Sequence, residues 1–204
     1  MLQEFNFLQP ADYQEALKLV NEYQDRCKII AGGTDLMVNL RENKYPDLEC
    51  LIDISKLDEL DYIKEENKYI KVGALTNHHS ISNSNLINNK AEILALGCSE
   101  IGSLQIRNRG SIAGNIITGS PCADSVTPFV ALDAVVVVES QNKIKEIPIG
   151  EFYDGPYKPQ IGENEVLKEI YFEKLDSNYN GDFIKVKRRN AVSKSRINLA
   201  ALGK

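Results

Sequence analysis

Apolar positions change their period along this chain, and each change marks a new element. Residues 4–8 (EFNFL) read as a short strand, and Pro10 then turns the chain into a run where Tyr13, Ala16, Leu17, Val20 and Tyr23 recur at helical spacing. Asp12 precedes that run with Glu15 three positions on, the arrangement of a capped helix start. Residues 27–31 (CKIIA) form a compact apolar strand broken by Gly32 and Gly33. Thr34 and Asp35 can cap a second short helix over residues 36–41, and residues 51–54 make another strand. From about residue 57 the pattern changes. Strands are expected at 62–63 and 69–72, closed by Gly73, then a helical stretch over 87–101, then a turn-rich segment over 102–124 dense in Gly, Ser, Thr and Asn. That segment is long for an idle connection, and such loops usually bind something. Beyond it the pattern gives a helix over 126–132 and strands over 134–139, 143–149, 166–172 and 183–187. Strands and helices do not alternate strictly, which favours α+β over a doubly wound parallel sheet.

With 204 residues, 43% hydrophobic and 26% charged, the chain can bury the core of one domain or two small ones, and disorder is not expected. A net charge of -5 offers no general attraction to a phosphate backbone or an anionic membrane, so nucleic acid is a poor partner. No apolar run approaches the roughly 20 residues that span a bilayer, and the first seven residues lack a signal-peptide pattern, so a cytoplasmic location without membrane insertion is expected. The four cysteines, Cys27, Cys50, Cys98 and Cys122, include no CxxC pair, and reduced thiols are expected in place of a zinc or iron-sulfur site. His78 and His79 have no carboxylate or cysteine companions at ligand spacing, and surface or hydrogen-bonding roles are expected.

Two stretches can carry chemistry. The first, Ile29, Ile30, Ala31, Gly32, Gly33, Thr34, Asp35 and Leu36, runs from a strand through two glycines to a helix start. Adjacent glycines permit positive φ and remove Cβ atoms, leaving amides that suit a diphosphate; a plain strand-to-helix turn is the competing reading. The pattern fits neither GxGxxG nor a P-loop. The second, residues 101–124 (IGSLQIRNRGSIAGNIITGSPCAD), offers neutral hydrogen-bonding side chains at Ser111, Asn115, Thr118 and Ser120. Its Asp124 suits ribose or ribityl hydroxyls, or simply caps the next helix. No nucleophile and base are paired anywhere, so the two stretches point to grip on a large cofactor.

The motifs AGGTDLMVNL, GALT at residues 73–76, QIRNRGSIAGNIITGSPCADSVTPFVALDA and KVKRRNA resemble, in order along nearly the whole chain, the flavin subunit of the molybdenum hydroxylases, the xanthine dehydrogenase and carbon monoxide dehydrogenase type. The long central motif is the specific one. The resemblance implies a two-subdomain FAD-binding fold of the vanillyl-alcohol oxidase or cell-wall reductase (PCMH) type: subdomain 1 over residues 1–56, subdomain 2 over 57–175, and over 176–204 a final strand with the start of a C-terminal domain that is largely absent. It implies that Ile29 to Leu36 wrap the FAD diphosphate and that Ile101 lies beside the flavin ring. Ser111, Ile112, Ala113, Gly114 and Asn115 would form the second phosphate and ribityl loop, although Ala113 stands where the family has the second glycine of GGN. Asp124 would bind FAD hydroxyls, and Leu167 and Lys185 would touch the cofactor later in the chain. Partners implied are an iron-sulfur subunit and a molybdopterin subunit, with NAD or another acceptor receiving electrons. Apolar surface at residues 197–202 would favour a homo-oligomer in isolation. A stand-alone flavin oxidoreductase and a flavin-free assembly subunit are the rival readings.

Overall fold

A computed structural model describes residues 4–189 and 192–204; Met1, Leu2 and Gln3 and the last two residues of KVKRRNA, Asn190 and Ala191, lie outside the described residues. Helix α1 (Tyr13–Tyr23) buries Tyr13, Ala16, Leu17 and Val20, the stripe its spacing requires. Asp12 caps it by accepting the Glu15 amide at 2.8 Å, and Glu15 reciprocates by accepting the Ala11 amide at 2.6 Å. The helix packs on a parallel sheet of β1 (Asn6–Leu8), β2 (Cys27–Ile30) and β3 (Cys50–Asp53), ordered β1-β3-β2. Helix α2 (Leu36–Arg41) follows β2 and covers a small core of Leu40, Leu48 and Leu51. Asp35 does not cap it with its side chain, contrary to expectation; that carboxylate accepts the Thr118 hydroxyl at 3.3 Å instead.

The second sheet is antiparallel and five-stranded: β4 (Ile63–Glu66), β5 (Tyr69–Gly73), β6 (Val135–Ser140), β7 (Lys143–Pro148) and β8 (Val166–Glu173), ordered β4-β5-β8-β6-β7. Two hairpins, β4-β5 and β6-β7, are thus joined by β8 between them. Val136, Val138, Ile170 and Phe172 are buried in the main core with Phe129 and Phe152. Helix α1 also touches β6, so the interior between the two sheets is continuous.

Between the sheets' strands the chain is more helical than its composition suggests. Helix α3 (His78–Ser82), capped by Asn77, was not expected. The single helix over 87–101 is two, α4 (Asn85–Lys90) and α5 (Glu92–Ser99), separated at Ala91, whose φ of -162° and ψ of 51° break the helical path. The break lets Ile87, Ala91, Ile93, Leu94 and Cys98 all reach one core. The segment 102–124 is no loop: it holds α6 (Leu104–Arg109) and α7 (Ile112–Thr118). Two of its serines are helix caps, Ser103 accepting the Ile106 amide and Ser111 the Gly114 amide, and Gly119 ends α7 at φ 60°. Helix α8 (Val126–Ala131) follows, and β9 (Asn180–Lys187) pairs antiparallel with a strand the pattern did not reveal, β10 (Ser195–Gly203). The mixture of a parallel and an antiparallel sheet with intervening helices is α+β, as expected.

Candidate functional site

Strand β2 ends at Ile30, and the chain then turns through Gly33 at φ 71°, a left-handed conformation that suits glycine. Gly32 has a different reason. A Cβ there would lie 2.1 Å from the carbonyl oxygen of Arg109 and 3.0 Å from the Cα of Gly110, so the first glycine loop rests directly on the backbone where α6 ends. A second tie follows from the hydrogen bond between Thr118, at the end of α7, and Asp35. The two stretches therefore meet along one edge.

The meeting opens a cleft of about 150 Å³ whose lining includes Gly32, Ser55, Asn77, Arg109 and Ser111, with the acidic Asp58 and Asp61. That volume is below the few hundred Å³ of a pocket that encloses a whole small-molecule ligand, so the cleft could hold only part of a dinucleotide. Among the described residues no intramolecular partner takes the amides of Gly32, Gly33 and Thr34. Bare amides in the turn after β2, with Arg109 lining the cleft, suit a diphosphate. The absent Cβ at Gly32 and these open donors make the fit to the diphosphate of a dinucleotide good. Beneath the loop, burial alone would raise the pKa of the Asp53 carboxyl, but hydrogen bonds from Gln9 and Ser55 and the charge of Arg109 hold it below the ordinary range.

The second loop works differently from the expectation that its amides face a ligand. Residues 74–78 pin it: the Ile112 amide donates to Thr76 O at 2.9 Å, the Ala113 amide to Ala74 O at 3.1 Å and the His78 amide to Gly110 O at 3.3 Å. The Gly114 amide donates to Ser111 Oγ at 3.2 Å, and Asn115 N to Ser111 O at 3.1 Å. The first turn of α7 is therefore already satisfied, with Ile112 and Ala113 buried. Ser111 is the member of this loop that lines the cleft. The GALT motif gains a structural meaning here, as the ledge that fixes the second loop. His78, expected in a surface or hydrogen-bonding role, is instead buried at 2% exposure beneath Gly110, and its Nδ1 has no partner among the described residues. His79 fits the expectation, with Nδ1 3.1 Å from Asn83 Nδ2.

From α7 a chain of polar contacts leads to the remaining residues. Asn115 Oδ1 accepts the Ser125 hydroxyl at 2.6 Å, and the neighbouring Asp124 pairs with Lys185 at 2.5 Å, the two side chains 5% and 3% exposed. Asp124 also accepts from the Ser195 hydroxyl and from Asn198 at 3.3 Å. Lys185 donates as well to Glu100 O at 2.8 Å, next to Ile101, which is 9% exposed. Asp124 is not the cap of α8; Ser125 holds the N-cap position, without a capping side-chain bond. Ile101, Asp124 and Lys185 thus gather around one buried ion pair joined to α7, whereas Leu167 lies 1% exposed in the main core on β8. Sequence reading missed Ser55, Asn77 and Arg109; the signal available was the basic run RNRG ahead of Ser111. Among the described residues no three His, Cys, Asp or Glu side chains converge as a metal site, and no helix is long and apolar enough to cross a membrane.

The chain is 34% identical over 96% of its length to the nicotinate dehydrogenase FAD-subunit of Eubacterium barkeri, of which it covers 67%. It is 31% identical over 91% of its length to the glyceraldehyde dehydrogenase medium chain of Sulfolobus acidocaldarius, of which it covers 65%. The structure superposes on a chain of carbon monoxide dehydrogenase from Hydrogenophaga pseudoflava with a TM-score of 0.93 at 28% identity, covering 99% of this chain and 70% of that one. The chain spans about two thirds of the length of these relatives, and the match includes the PCMH-type arrangement of both sheets and the β9-β10 hairpin. Residues 3–172 match the model of the FAD binding domain in molybdopterin dehydrogenase, and the chain belongs to that family.

Proposed function

We propose that this chain is the FAD-binding part of a multi-subunit molybdenum hydroxylase of the xanthine dehydrogenase type. In this reading it works in the cytoplasm beside an iron-sulfur subunit and a molybdopterin subunit, with NAD or another compound as final acceptor. Bound FAD would supply the redox chemistry, linking one-electron iron-sulfur centres to a two-electron acceptor. The chain's own residues bind and orient. Gly32, Gly33 and Thr34 offer amides and Arg109 a cation to the diphosphate, and Ser111 and Asn77 line the same cleft as Gly32 and Arg109. The Asp124-Lys185 pair, held by Ser195, Asn198 and Glu100, fixes the segment after α7 against the wall that carries Ile101. We take residues 1–56, 57–175 and 176–204 as three parts, in keeping with the separate parallel sheet, antiparallel sheet and hairpin.

The observation that carries the reading is the backbone contact between Gly32 and Arg109, which joins two distant glycine-rich stretches beside one cleft. Titration of the purified chain with FAD tests it: binding quenches flavin fluorescence and perturbs the visible absorbance band. A chain that stays colourless after reconstitution with excess FAD would refute the proposal. The partner assignment is tested separately by copurification, where a stable complex containing iron-sulfur and molybdenum subunits is expected.

A further inference from the structure

Buried polar atoms in folded proteins are almost always hydrogen-bonded, and an exception asks for a reason. Among the described residues His78 Nδ1 is such an exception, a nitrogen without a partner on a buried side chain. Burial, and after it the charge of Arg107, keeps the ring neutral. A leucine in the same place would bury apolar volume and leave no polar atom unsatisfied. Stability alone therefore does not account for a histidine here.

Its surroundings supply the reason. Asn77, the preceding residue, lines the cleft and pairs with Ser111 in an antiparallel bridge. The His78 amide donates to Gly110 O and the Ile112 amide to Thr76 O, so residues 76–78 run alongside 110–112. Against that ladder the imidazole turns its Cδ2–Nε2 edge to Gly110: a Cβ built on Gly110 would stand 3.3 Å from Cδ2 and 3.6 Å from Nε2. The unpaired Nδ1 is across the ring from this edge. Gly110 lies between Arg109 and Ser111, which both line the cleft, and Gly32 rests on the Arg109 carbonyl. A shift of Gly110 is thus passed to both glycine-rich stretches.

We propose that His78 is a positioning residue for the cofactor: the Nε2 edge of its neutral ring fixes Gly110, and through it the places of Arg109 and Ser111 in the cleft. The proposal rests on the FAD reading above and adds to it a residue that acts through the cleft's backbone. The unsatisfied Nδ1 is the stability cost of that placement, the kind of local rule broken where a site and not the core dictates the residue.

Three substitutions separate this role from plain packing. Glutamine carries its amide as far out as Nε2, asparagine only as far as Nδ1, and leucine fills the space with no polar edge. FAD affinity by fluorescence titration and ADP affinity by calorimetry should stay within about threefold of wild type in His78→Gln. Both should weaken about tenfold or more in His78→Asn and His78→Leu. Urea midpoints should sort differently, with His78→Leu at or above wild type because the unsatisfied nitrogen is gone. A leucine variant that binds both ligands like wild type overturns the proposal. So does a series in which affinity falls only as stability falls, or one in which glutamine binds no better than asparagine. Loss of FAD affinity with ADP affinity unchanged also overturns it, since the ring then acts elsewhere than on the diphosphate wall. Near-ultraviolet circular dichroism shows that each variant is folded; if His78→Asn is not, the glutamine and leucine variants decide. A wild-type chain that binds neither FAD nor ADP fails the cofactor reading itself, so the two failures are told apart.

Discussion

At Gly32 a single missing methyl group decides whether two stretches of backbone can touch. Gly32→Ala would drive a Cβ into the Arg109 carbonyl at 2.1 Å with no flexible side chain to yield. We expect roughly 1–3 kcal/mol of lost stability and FAD affinity weakened by about tenfold or more, since 1.4 kcal/mol of misplaced binding is one order of magnitude. Fluorescence titration measures the affinity, and an alanine variant that binds FAD as tightly as wild type would contradict the role given to this contact. His78 gives a second test. Burial, aided by the charge of Arg107, lowers its pKa from 6.5 to about 4. Between those values the unfolded chain binds the proton that the folded chain refuses, so stability is full above about pH 6.5 and is lost as pH falls toward 4. The loss amounts to about 3 kcal/mol. Urea midpoints measured across that range should fall in the wild type and fall less in His78→Gln; parallel curves would rule the explanation out.

At the scale of elements, the hairpin is held to the body by charge in a dry place. Lys185→Met leaves the Asp124 carboxylate buried without its cation, which costs about 3–5 kcal/mol. Asp124→Leu with Lys185→Met removes both charges together and should recover much of that loss. Denaturant unfolding of the three variants checks the order, and a double variant weaker than Lys185→Met alone would contradict it. Helix α7 illustrates a second point about elements. Its first-turn amides are spent on Thr76, Ala74 and Ser111, so this helix acts as a rigid wall, while the open donors stay with the shorter turn after β2.

For the whole molecule, the cleft lies between parts built on different sheets, since Gly32 follows β2 of the parallel sheet and Asn77 follows β5 of the antiparallel one. A ligand held by both parts and by neither unfolded segment stabilises their union. At a free FAD concentration about 100 times the dissociation constant, the gain is about 2.7 kcal/mol. Thermal unfolding followed with increasing FAD should therefore move upward as one cooperative transition. A midpoint indifferent to FAD would argue that the cofactor is not gripped by the folded pair of sheets.

Local patterns determined a great deal on their own. The stripe of α1, the Asp12 cap and most strands follow from side-chain period and capping chemistry, which act within a few residues, and the glycine-rich motifs pointed to FAD through their resemblance to the family. Tertiary structure decided the rest. Ser103 and Ser111 look like loop residues until their hydroxyls are seen accepting helix amides, and β10 needed β9 as a partner before its residues could be read as a strand. The open donors fell to Gly32, Gly33 and Thr34 and not to the second loop because residues 74–78, distant in sequence, already occupy that loop's amides. Which buried polar group meets which is a matter of distance in space, and neither the period nor the composition of the chain encodes it locally.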